Sequence, residues 1–151
     1  MEKKSFQEQG SVSYCYGCGP DNERGLKIKS YWNGKDEAVC IWRPEPHHCG
    51  GSKDIVNGGI IASLIDCHSL NLAIADAYHR EGRPIGSLPK IGFVTAQLSV
   101  SYLKPAPIDK PLELSARIVK TEGRKTWVSC ELRSDRELRA KGEVLGIRVE
   151  R

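Results

Sequence analysis

The polar and apolar positions of this chain fall into two rhythms. Between residues 93 and 103, Val94, Ala96, Leu98, Val100 and Tyr102 alternate with Thr95, Gln97, Ser99 and Ser101. A period of two predicts a half-buried strand with the first set on the core face and Thr95 on the polar face. Pro105 and Pro107 end it, since proline cannot donate to a ladder. The same alternation predicts strands over 112–119, with Leu112, Leu114, Ala116 and Ile118 inward, and over 127–133, with Val128, Cys130 and Leu132 inward. A further strand is expected over 138–149. Glu122-Gly123-Arg124 and Ser134-Asp135-Arg136-Glu137 turn the chain between them. Earlier, Leu26, Ile28 and Trp32 alternate with Lys27, Lys29 and Tyr31, and a second strand follows over 38–42 after the hairpin signal Asn33-Gly34.

Residues 56–82 follow the other rhythm. Asn57 is a good N-cap, because its side-chain oxygen accepts from a first-turn amide. Val56 and Ile61 occupy the N′ and N4 positions of a hydrophobic staple. Gly82 suits the left-handed C′ position, and Pro84 lies beyond it. Between these caps, apolar residues from Ile60 to Ala77 cover nearly every face, which predicts a helix buried in a core. Asp66 breaks the pattern: between Gly59 and Ala75 the only other ionisable oxygen- or nitrogen-bearing side chain is His68. A carboxylate is costly to bury without a partner or a task. The residues on its helical face, Gly59, Ala62, Ser63, Ser69 and Ala73, are all small. Two readings stay open: room for a ligand beside the carboxylate, or close approach of a sheet with Asp66 bonded to backbone.

With 151 residues, 39% hydrophobic and 28% charged, the chain suits one globular domain over 1–151, with residues 1–10 expected to fray. The net charge of +4 comes without dense basic runs interleaved with aromatics, which argues against nucleic acid. No uninterrupted apolar run reads as a membrane span, and the polar N-terminus does not read as a signal peptide. A cytoplasmic location is therefore expected, with the six cysteines reduced or bound to metal.

Two strands, one long apolar helix and a run of antiparallel strands imply an α+β architecture. An apolar helix of this length needs a sheet curved around it, which is the hotdog fold. The chain also resembles the hotdog-fold thioesterases of the phenylacetate-pathway type over roughly residues 15–149. The resemblance rests on C-x-x-C-G followed by G-L (Cys15, Cys18, Gly19, Gly25, Leu26), a Gly-Gly helix start, the helix acid, and V-S-Y-L-K-P-A-P closing the long strand. It implies acyl-CoA thioester hydrolysis without a required cofactor. Gly58 and Gly59 would present amides to the thioester oxygen at the positive end of the helix. Asp66 would act as general base or nucleophile, and Thr95 as a helper hydroxyl. On the residues themselves, Ser63 is a candidate to contact substrate, and His68 is either a buried neutral histidine or a residue lining the acyl pocket. Asn57 stands where the family usually has histidine, so it caps and donates a hydrogen bond but carries no proton at neutral pH. That departure favours a runner-up, a protein that binds acyl thioesters without turning them over. A hydratase is disfavoured for lack of that family's Asp and His pair.

Cys15 and Cys18 form C-x-x-C, and His48 and Cys49 are candidates to complete a tetrahedral zinc site; the alternative is a packed loop. Cys67, next to Asp66, reads as a packed core residue. A lone hotdog leaves a sheet edge open, so a homodimer or homotetramer is expected, with strand 93–103 at the interface.

Overall fold

The computed structural model describes residues 3–150. In chain order the elements are β1 (Tyr31–Trp32), β2 (Glu37–Trp42), a short 3-10 turn (Pro46–His48), α1 (Gly58–Arg80), β3 (Ile91–Tyr102), β4 (Leu112–Glu122), β5 (Lys125–Ser134) and β6 (Glu137–Glu150). The strands form one antiparallel sheet in the order β1-β2-β4-β5-β6-β3. α1 lies in the hollow of this sheet, as expected for a hotdog arrangement.

The helix caps are those the sequence predicts. Asn57 Oδ1 accepts from the Ile60 amide at 3.1 Å. At the other end Gly82 takes φ +67°, its amide reaches the His79 carbonyl, and the Arg83 amide reaches that of Tyr78. These two crossed bonds satisfy carbonyls that the helix end would otherwise leave unpaired. By length and composition α1 does reach what a membrane span needs, contrary to the expectation drawn from its polar interruptions. Its apolar side chains are used against the sheet instead. Leu64, Ile65 and Leu72 are fully buried with Cys40, Leu114, Val128, Cys130, Leu132 and Val144 in one cluster. β6 comes so near the helix that a Cβ at Gly142 would sit 2.7 Å from Ile65, and one at Gly146 would sit 2.8 Å from Leu70. Both positions need glycine for that close approach.

Three expectations need correction. The strand expected over 26–32 shrinks to Tyr31–Trp32, because Lys27 takes φ +59° and breaks the extended path. The Leu26 and Ile28 amides bond instead to the Tyr16 and Gly17 carbonyls, which ties this segment to the cysteine loop. Residues 3–10 do not fray: Ser5, Phe6 and Gln7 are buried, Phe6 meets Trp32 edge-on at 5.0 Å, and its amide bonds Ser30. Met1 and Glu2, which the same expectation covered, lie outside the described residues. The third correction concerns β3. Its register against β6 slips between Thr95 and Gln97, leaving Ala96 as an extra residue. Thr95 pairs with Gly146, while Leu98, Val100 and Tyr102 pair with Val144, Gly142 and Ala140, all on the helix side of β6. The bulge therefore puts Thr95 on the same face as Leu98, Val100 and Tyr102, and turns Val94 outward.

Candidate active site

α1 is buried through its second half but open along one stripe of its first. Gly58 and Gly59 are exposed, and Ala62, Ser63, Asp66, Cys67 and Leu70 are half-buried, at the spacing of one helical face. Ser69 and Ala73, read from the sequence as part of that face, are fully buried. Asp66 is the carboxylate of the open stripe. Thr95 Oγ1 donates to Asp66 Oδ1 at 2.7 Å, which leaves Oδ2 free of that bond. Burial pushes the Asp66 carboxyl above its usual range; the Thr95 bond opposes the rise, and negative charge at Cys15 adds to it.

The start of the helix is held from three sides. The Val56 amide bonds Ala106, the Asn57 amide bonds His48, and short antiparallel bridges join Cys49 to Val56 and Ile55 to Pro107. Tyr102 Oη donates to the Gly58 carbonyl at 2.6 Å. Asn57 caps the third amide of the helix, so the Gly58 and Gly59 amides remain to meet a ligand. Ser63 Oγ turns back to the Gly59 carbonyl at 3.0 Å and lies on the open stripe between the glycines and Asp66. Tyr102 was visible in sequence through the alternation of its strand and the V-S-Y-L-K-P run; nothing local to it signals that its hydroxyl fixes the helix start.

His68 does not belong to this site. Its ring is fully buried on the opposite side of α1, where Nδ1 meets Ser30 Oγ at 2.8 Å and Nε2 meets the Ala38 carbonyl at 3.1 Å. A carbonyl accepts only from N–H, so the ring is the neutral Nε2–H form with Nδ1 accepting from Ser30. Burial lowers its pKa to about 4. It is a core residue and has no surface with which to line a pocket.

The cysteine loop reaches the helix beside Asp66. The sulfurs of Cys15, Cys18 and Cys67 lie within 4.8 Å of one another, and Cys15 and Cys67 are 3.7 Å apart. Cys67 thus stands where His48 and Cys49 were expected. His48 groups instead with Glu45 and His47, accepts the Glu45 amide at Nδ1, and packs on Trp42. Cys67, expected as a packed core residue on another face from Asp66, is half-buried at the edge of the open stripe, and only the fold reveals what it meets. Within the trio, contacts with the Cys18 and Cys67 thiols hold the Cys15 thiol below its usual range, while Cys18 and Cys67 are pushed up.

Comparison with known proteins fits this geometry. The sequence profile of the thioesterase superfamily matches residues 53–141, the span from the loop before α1 into β6. The acyl-coenzyme A thioesterase THEM4 of Xenopus laevis is 32% identical over 96 residues, covering 64% of this chain and 37% of that protein. THEM4 of Bos taurus is 25% identical over 142 residues, covering 93% of this chain and 53% of that protein. The chain thus spans about half the length, or less, of these curated relatives. Among solved structures, a thioesterase superfamily protein from Shewanella loihica PV-4 is 34% identical, with 92% of this chain and 96% of that one covered and a TM-score of 0.64. The smu.793 protein of Streptococcus mutans UA159, solved with acetyl CoA bound, shares the fold at 17% identity and a TM-score of 0.66, with 82% and 90% covered.

Proposed function

This chain belongs to the thioesterase superfamily, and we propose that it hydrolyses acyl-coenzyme A thioesters at Asp66. The observation that carries the reading is the Asp66–Thr95 pair: a half-buried carboxylate on the open stripe of α1, with one oxygen held by a hydroxyl and the other left to act. As general base, Asp66 takes a proton from water while the water oxygen bonds to the carbonyl carbon. The carbon–sulfur bond then breaks, the proton passes to the departing sulfur, and the products are the free acid and coenzyme A. Direct attack by Asp66, giving an anhydride that water opens, uses the same oxygen. In either route a developing oxyanion needs amide donors, and the exposed Gly58 and Gly59 amides at the positive helix end supply them. The acetyl CoA bound by the S. mutans protein of the same fold, and the acyl-coenzyme A activity named for the THEM4 relatives, support the choice of substrate.

Asp66 lies seven residues beyond Gly59, about 10 Å along the helix axis. One thioester carbonyl cannot meet both within one subunit, so we propose that the amides come from a second copy. The arrangement of β3 supports this. It is the outer strand of the sheet, twelve residues long, and Val94, Leu98, Tyr102 and Leu103 on or beside it are exposed. An open edge of that length pairs readily with its own symmetry mate. Sedimentation at micromolar concentration is expected to give at least twice 16.8 kDa; a stable 16.8 kDa monomer that still hydrolyses thioesters removes the shared site.

The activity is tested by thiol release from a series of acyl-CoA and aryl-CoA thioesters. Hydrolysis saturating with at least one of them is expected. The second reading, binding without turnover, is favoured by Asn57, which caps the helix but carries no proton. Saturable binding of these thioesters without thiol release decides for it.

A further inference from the structure

The cysteine trio has no part in the hydrolysis proposed above, yet its surroundings are arranged around sulfur. Gly19 closes the loop by donating to the Cys15 carbonyl at 2.7 Å, and Gly17 lies against the Cys67 sulfur, where any side chain would collide. Asn71 Nδ2 donates to the Cys18 sulfur at 3.2 Å and to the Cys67 carbonyl at 2.7 Å, while Ser11 Oγ holds its oxygen at 2.6 Å. These are the outer hydrogen bonds that orient ligands and lower the cost of thiolate charge. The Cys15–Cys67 separation of 3.7 Å is far longer than a disulfide bond of about 2.05 Å. It matches the spacing of about 3.8 Å between two thiolates on a tetrahedral zinc with bonds of about 2.3 Å.

We infer that Cys15, Cys18 and Cys67 form a three-thiolate zinc site that ties the cysteine loop to α1 one residue from Asp66. Soft sulfur donors select zinc over magnesium or calcium, which take oxygen. Cys18 is buried and Cys67 half-buried, so the fourth position opens on the exposed side of Cys15, where water or a small external ligand completes the tetrahedron. The site differs from the one the sequence suggests by replacing His48 and Cys49 with a helix residue that only the fold brings near. It stands independently of the thioesterase reading.

The test uses the whole chain, purified under reductant without chelator. Elemental analysis is expected to find about one zinc per chain. After removal of the zinc, added cobalt should give a thiolate-to-cobalt charge-transfer band with the visible bands of a tetrahedral site. Cys15→Ser and Cys67→Ser should each bring zinc below about 0.1 per chain, as loss of one of three ligands requires. Cys49→Ser should leave it unchanged. If Cys67→Ser does not fold, the exposed Cys15→Ser variant and the cobalt spectrum of the unaltered chain decide. Zinc below about 0.1 per chain with no cobalt charge-transfer band overturns the inference. So does loss of zinc in Cys49→Ser with retention in Cys15→Ser.

Discussion

Asp66→Asn is expected to lower kcat by at least ~10²-fold while the protein stays folded and assembled. Asparagine keeps the size of the side chain, and its oxygen can still accept from Thr95 Oγ1, which lies 2.7 Å from Oδ1 in the native site. The amide nitrogen that replaces Oδ2 can neither take a proton from water nor attack a carbonyl. The fold should not suffer, because burial already disfavours the charged form of Asp66. The melting temperature should hold or rise, because the change removes a carboxylate whose charged form burial disfavours. Thr95→Val separates two roles for the hydroxyl. If Thr95 only orients Asp66, kcat falls by about tenfold with KM little changed, in keeping with loss of a positioning hydrogen bond rather than of the reacting group. Steady-state kinetics on the best thioester, with a thermal melt of each variant, reads both effects. A near-native rate in Asp66→Asn moves the chemistry away from this carboxylate. Unfolding of Asp66→Asn makes it a structural hydrogen-bond partner.

The parts of this site differ in how far the sequence discloses them, and the division follows the range of the interactions. Caps, turns and burial pattern are local, so Asn57, Gly82 and the four long strands could be read residue by residue. Asp66 was legible because a charge in an apolar helix is anomalous wherever the helix packs. The resemblance grouped Thr95 with Asp66, but alternation put Thr95 on the other face, because their contact depends on the extra residue at Ala96. Alternation carried across a bulge inverts every side chain on one side of it, and a bulge is fixed by the partner strand, here β6, rather than by the strand's own sequence. The two glycines of β6, Gly142 and Gly146, are the visible trace: they thin the sheet where Ile65, Leu70 and Phe93 crowd in. Cys67 was expected as a packed core residue, but it is only half-buried, and its neighbours come from a loop some fifty positions earlier in the chain, which no periodicity reports. For His68 the sequence left two readings, a buried neutral histidine or a pocket residue, and only the partners brought by the fold, Ser30 and Ala38, decide for the first.

That buried ring leads to the largest expected effect on stability. His68→Gln should destabilise the protein by about 2–4 kcal/mol at neutral pH, the range for breaking a buried hydrogen-bond network. The ring bridges two parts of the fold: Ser30, which also exchanges bonds with Gln7 of the N-terminal segment, and the Ala38 carbonyl of β2. Glutamine is too flexible and differently shaped to serve both ends, so at least one partner is left unsatisfied. The pH dependence identifies the ring itself. Its folded pKa is about 4, lowered by burial, against about 6.5 in an unfolded chain. Between these values the unfolded chain binds a proton that the folded one refuses, so unfolding gains as pH falls. The contribution is complete above pH 6.5 and is lost progressively down to pH 4. From pH 7 to pH 5 the native chain should lose roughly 2 kcal/mol through this residue, at 1.36 kcal/mol per pKa unit. No charged side chain hydrogen-bonds the ring among the described residues to offset this. His48, whose pKa burial also lowers, adds a slope of the same sign, so the comparison must be made between chains that both retain it. Urea unfolding of native and His68→Gln protein at pH 7, 6 and 5, at one fixed protein concentration, supplies that comparison. The variant should start lower and fall more gently, so that the gap between the two narrows as the pH drops. Parallel lines would mean that His68 is equally protonated in both states, and a gap that widens as the pH drops would mean that it is charged in the fold; either result contradicts a neutral ring held between Ser30 and Ala38.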